Sequence, residues 1–165
     1  NCSMFRWRAE ALKNWFVRHL PLLALILCIL ALAWFILCFS LSSQSGEETG
    51  KLSTAMAKTI SKVLGLSSES IPALNRGLRT FAHFVCFFVL TGLMCGACAA
   101  VFPSHARSFL WPLIPCILFA FLDEFRKAGI HGRHCSIPEA FLNVVGCILG
   151  CMAVGAFLRF LSKRG

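Results

Sequence analysis

Four long stretches of this chain carry no acid, lysine or arginine, and they limit the fold more than any other feature. They are Leu20–Leu41, Phe81–Phe102, Ser108–Leu122 and Ala140–Leu158. The first two have 22 residues each. At 1.5 Å per residue, that length crosses a hydrocarbon core of about 30 Å. In lipid, backbone groups must be satisfied within the segment itself, so each run is predicted as a helix. The expected fold is all-α: a four-helix transmembrane bundle, with residues 1–165 as one domain.

Composition agrees. Hydrophobic residues make up 58% of the chain and charged residues 14%, against about 25% charged in an ordinary soluble domain. The net charge is +9. The basic residues stand in short segments beside apolar runs, where they set topology and meet anionic headgroups. Membrane lipid is the expected partner and nucleic acid is excluded. Arg6, Arg8, Lys13 and Arg18 precede the first run, which predicts a cytoplasmic N-terminus. Four spans then return the C-terminus to the same side. The first run is too long for a cleaved signal peptide and has no small-residue cleavage site after it.

The third run is short. Its 15 residues cover roughly 22 Å, so either the bilayer thins or Asp123 and Glu124 are drawn inward. Intramembrane carboxylates need partners or water. Pro112 and Pro115 are placed near the start of this helix, where proline is tolerated best.

The connection 42–79 is long and predicted to lie outside. In Gly50–Leu64, Leu52, Met56, Ile60 and Val63 fall on one helical face, and Lys51, Lys58 and Lys62 on another. That pattern fits an amphipathic helix on the outer leaflet or capping the bundle, or an ordinary surface helix. Ser67–Pro72 is a turn before a short helix leading into the second span. Gly92/Gly96 and Gly146/Gly150 have GxxxG spacing and predict close helix packing.

Most of the ten cysteines lie in apolar runs and are expected as small packing residues. His131, His134 and Cys135 lie together, but their spacing fits no zinc pattern, so no metal is expected. No phosphate-binding loop, HExxH or GxSxG motif is present, and no cofactor is expected.

The topology brings polar groups from every span to one depth. Ser42, Ser43 and Gln44 close the first span, and Arg79 and His83 open the second. Asp123 and Glu124 close the third, and Arg133, Ser136, Glu139 and Asn143 lead into the fourth. Arg76, Arg79 and His83 share one helical face, as do Glu139, Asn143, Gly146 and Gly150. An outward cavity lined by these groups is expected. Arg76 and Lys127 are read as ordinary helix-end charges.

In this ordered set the chain resembles the VanZ-like family of bacterial membrane proteins. The family pattern is SSQ after the first span, R-x-x-x-H opening the second, D-E-x-x-Q, then R, D, N and G. The corresponding residues here are Ser42-Ser43-Gln44, Arg79 with His83, Asp123-Glu124, Arg133, Glu139, Asn143, Gly146 and Gly150. The chain departs from the pattern at Lys127, where the family has glutamine, at His131 for proline, and at Glu139 for aspartate. The resemblance implies a cell-envelope role in the bacterial cytoplasmic membrane, as an accessory factor lowering susceptibility to teicoplanin.

Three readings follow. In the first, Gln44, Arg79, Asp123, Arg133, Glu139 and Asn143 bind an envelope lipid, a cell-wall precursor or a lipoglycopeptide, since guanidinium matches phosphate and carboxylate bidentately. In the second, the chain is a membrane enzyme, with His83 and Glu124 as its acid–base pair. In the third, the polar set only ties helices together. Four spans are few for a transporter, which would need a homo-oligomer.

Overall fold

A chain that buries long apolar runs in lipid closes its backbone hydrogen bonds within helices, and every element described is helical. The computed structural model describes residues 2–43, 46–102, 105–130 and 135–163. Gln44, His131, Arg133 and His134 lie outside the described residues. In order, the elements are α1 (Cys2–Ser43), α2 (Gly46–Leu64), a 3-10 turn (Ser68–Ser70), α3 (Ile71–Val101), α4 (His105–Lys127) and α5 (Ile137–Ser162).

Four segments are long and apolar enough to cross a membrane: His19–Ser43, Ser68–Val101, Ser108–Lys127 and Ile137–Leu161. All four expected spans are present. The distribution of side chains agrees with a lipid surround. Leu32, Ile36, Ile114, Leu118, Met152 and Phe157 are exposed, whereas Asp123, Glu124, Lys127 and Asn143 are buried. A soluble domain rarely encloses so many charges while leaving its leucines outside.

The third span lengthens at the end where the sequence left it short. Its helix continues through Asp123 and Glu124 to Lys127, and pairing lets those residues stay buried. Helix α4 also starts earlier than expected, at His105, so Pro112 and Pro115 lie inside it. Each lacks the N–H that a helix interior uses.

Helix α3 is the central post and touches each of the other helices. Antiparallel α1 is tied to it where Trp34 Nε1 donates to the Cys86 carbonyl at 3.0 Å and where Leu27 meets Gly96. Helix α5 runs parallel to α3, pairing Glu139 with Thr80 and Gly150 with Phe88. The approach is close. A Cβ on Gly146 would stand 2.7 Å from the Phe84 carbonyl oxygen, and one on Gly150 would strike the Phe88 carbonyl. Gly92 also faces α5, but Gly96 turns to α1. The two GxxxG pairs therefore do not form one reciprocal interface.

The core joins Ala31, Phe87, Leu90, Cys116, Ala120 and Cys147, with the Phe119 ring in tilted contact with those of Phe35 and Phe87. The nine cysteines described are free thiols, and Cys95, Cys116 and Cys147 are buried.

Helix α2 ends in a glycine turn. Gly65 has φ 64°, and Leu66 N–H returns to the Ser61 carbonyl at 2.9 Å, closing the helix in the manner of a Schellman motif. The face that α2 turns inward differs from the apolar stripe seen in the sequence. Ala57 and Ser61 are buried, and Thr54 accepts a hydrogen bond from Asn75 at 2.9 Å. Met56 and Val63 are exposed, Val63 at 79%. Small residues permit the contact with α3, while Met56 and Val63 stay outside and Ile60 is half-buried.

Candidate functional site

One end of the bundle carries an ion-paired knot, drawn together from all four spanning helices. Helix α4 supplies its centre because Asp123, Glu124 and Lys127 fall at i, i+1 and i+4, within reach on one helical face. Lys127 is 4% exposed, Asp123 3% and Glu124 1%. The Lys127 ammonium contacts Glu124 Oε1 directly. It lies 3.7 Å from Asp123 Oδ2 and 3.9 Å from Glu139 Oε2 on α5. Glu124 Oε2 accepts the Ser136 backbone N–H at 3.3 Å, and Glu139 Oε1 accepts from Thr80 of α3 at 3.5 Å.

Helix α1 joins through its last two serines. Ser42 Oγ donates to Asp123 Oδ1 at 2.7 Å. Arg126 binds the same oxygen through Nη2 at 3.1 Å and Ser43 Oγ through Nη1 at 2.6 Å. Its guanidinium lies 4.3 Å from the centroid of the Phe39 ring, which adds a cation–π contact. Among the described residues, three carboxylates thus share two cations.

Beside the knot is a cavity of about 10 Å³, lined by Cys38, His83, Cys86, Phe87, Leu90, Phe119 and Asp123. A volume of that order holds roughly one water. Polar groups from all four helices meet, and among the described residues Lys127 and Arg126 stand at the meeting point, paired with the carboxylates. Glu124 is occupied by Lys127 and Ser136, and the carboxylate that shares a cavity with His83 is Asp123.

The remaining sequence candidates divide. Asn143 is 1% exposed, and its Nδ2 has no hydrogen-bond partner. Arg79 is half-buried and makes no ion pair among the described residues. Glu124 and Glu139 are both in contact with Lys127 instead. Gln44 and Arg133 lie outside the described residues. No group of three or more His, Cys, Asp or Glu among the described residues is placed to hold a metal ion.

Sequence reading missed two residues central to the knot, Arg126 and Lys127. Both carried a signal: Arg126 stands three residues after Asp123, and Lys127 three after Glu124 and four after Asp123. At a helix end these charges read as solvated. Only the contact with Glu139, across a loop and on another helix, shows that Lys127 is enclosed.

No curated protein and no solved structure matches the chain. The VanZ/LLP1 family model matches residues 26–158, which takes in the four spans except the first turns of the first and the last residues of the fourth, together with the whole knot. By that match the chain belongs to the VanZ/LLP1 family of membrane proteins.

Proposed function

We propose that this chain is an accessory membrane protein of the bacterial cell envelope that lowers susceptibility to teicoplanin. In this reading its knotted end faces outward and both termini are cytoplasmic. That end binds the anionic head of an envelope lipid, a cell-wall precursor or the drug itself. The observation that carries the reading is the division of charges. Lys127 and Arg126 pair with the carboxylates, and Arg79, on the face of α3 that continues to His83, makes no ion pair among the described residues. An unpaired guanidinium at a membrane surface is suited to phosphate or carboxylate.

The test compares teicoplanin susceptibility in cells expressing wild-type chain, Arg79→Ala and Arg133→Ala, with membrane levels of each protein measured in parallel. Sensitivity regained at normal protein levels supports binding at this end. Resistance unchanged in both variants refutes it. Protein lost from the membrane assigns the arginines to holding the bundle together.

One observation favours a second reading, an enzyme acting on a lipid headgroup. His83 and Asp123 line a cavity of about one water's volume, a pairing that suits general-base activation of water. Mass spectrometry of lipid extracts from cells with wild-type chain and with His83→Ala decides between them. Identical lipid species remove the enzymatic reading.

A further inference from the structure

A second feature lies along α3 beside the knot, and Thr80 belongs to both. A groove of about 600 Å³ runs between α3 and the first turns of α5, lined by Arg76, Gly77, Thr80, Phe81, Phe84 and Leu142. Its volume is in the range of ligand sites, roughly 300–1,000 Å³. The lining is ordered along the axis. Arg76 and Gly77 stand at one end, Thr80 in the middle, and Phe84 two turns further toward the bundle's centre. That span of eight residues is about 12 Å at helical rise. Phe81 is 62% exposed, so the apolar part opens sideways to lipid.

Depth gives the groove its meaning. Helix α3 has 31 residues, about 46 Å at helical rise, and so outruns a core of about 30 Å. Its excess carries Arg76 and Arg79, so Arg76 stands at headgroup level while Phe84 and Leu142 reach the acyl chains. Arg76 is exposed and makes no hydrogen bond or ion pair among the described residues. Glu139, which Thr80 of the groove contacts, is also in contact with Lys127. A Cβ on Gly77 would meet nothing within 4 Å, so the wall is open there.

We propose that this groove is a binding site for an anionic phospholipid, its phosphate on Arg76 and its first acyl carbons against Phe81, Phe84 and Leu142. Basic pockets between spanning helices are an established way of holding acidic lipid heads. The apolar floor commits the site to a lipid rather than to free phosphate. The inference does not rest on the proposed resistance function, which uses Arg79, about one turn further along α3, and is scored by drug susceptibility.

The test is native mass spectrometry of the purified full chain in detergent, titrated with phosphatidylglycerol, with zwitterionic phosphatidylcholine, and with phosphatidylglycerol in competition with inorganic phosphate. Wild-type chain should retain one phosphatidylglycerol about tenfold more tightly than phosphatidylcholine, ~1.4 kcal/mol. Arg76→Gln should abolish the preference. Gly77→Leu should weaken both lipids by filling the groove, and Lys58→Gln on α2 should change nothing. If Arg76→Gln fails to fold, Gly77→Leu alone carries the test. Equal retention of the two lipids by wild-type chain overturns the proposal. So does wild-type behaviour in both groove variants, a loss in Lys58→Gln matching that in Arg76→Gln, or displacement of the lipid by inorganic phosphate.

Discussion

Replacing Lys127 with methionine keeps the length of the side chain and removes the charge that three carboxylates share. Each carboxylate near 4 Å contributes about 4 kcal/mol of attraction at an effective dielectric of 20. Most of that is offset by the cost of stripping water from the charges. What remains on breaking a buried pair from one side is about 3–5 kcal/mol, because Glu124, at 1% exposure, is left charged without a counterion. Lys127→Met should therefore lower stability by that amount in detergent-titrated unfolding followed by tryptophan fluorescence. Adding Glu124→Gln to Lys127→Met should restore about 1–3 kcal/mol, the coupling expected of residues in one network. Lys127→Met within about 1 kcal/mol of wild type, or strict additivity of the two substitutions, would show that the ammonium is not the knot's centre.

Two further outcomes follow from the packing. Gly150→Leu drives a side chain into the Phe88 carbonyl, which is backbone and cannot yield. It should cost at least about 1–3 kcal/mol in the same unfolding assay, whereas Gly77→Leu, meeting open space, should stay within about 0.5 kcal/mol. Ser42→Ala removes a hydroxyl from Asp123 Oδ1 and should cost about 1 kcal/mol, the scale of interhelical hydrogen bonds in membranes. A larger loss in an Arg126→Ala background, where Ser42 is left as the donor to that oxygen, is expected if the two donors share it.

The spans are legible in the sequence because lipid leaves a chain few options: an uncharged run of 22 residues is a helix whatever its neighbours do. The depth at which polar groups gather is legible too, since it follows from counting spans. What the sequence hides is pairing. Lys127 at the end of a helix looks like a charge in water, and nothing local distinguishes it from the loop lysines. Its enclosure depends on Glu139, twelve residues on and on another helix. The inward face of α2 is hidden for a related reason. Periodicity marks Met56 and Val63 as the apolar stripe, but close approach to α3 selects the smaller Ala57 and Ser61. Gly146 and Gly150 illustrate the opposite case. Small residues one turn apart in an apolar run announce a near contact, and the structure supplies its partner, the backbone of Phe84 and Phe88.

The knot also acts as a clasp on a seam. Below it, α1 and α4 meet through Phe35 and Phe119. From there an apolar groove of about 380 Å³ runs between them, with Cys28, Leu32 and Pro115 on its sides and Met94 on its floor. The two helices are fastened at one end by Ser42 and Ser43 on Asp123 and Arg126, like the jaws of a peg. Beyond that fastening no polar contact between α1 and α4 is seen among the described residues, and exposed Leu32 and Pro115 turn the seam toward the acyl chains.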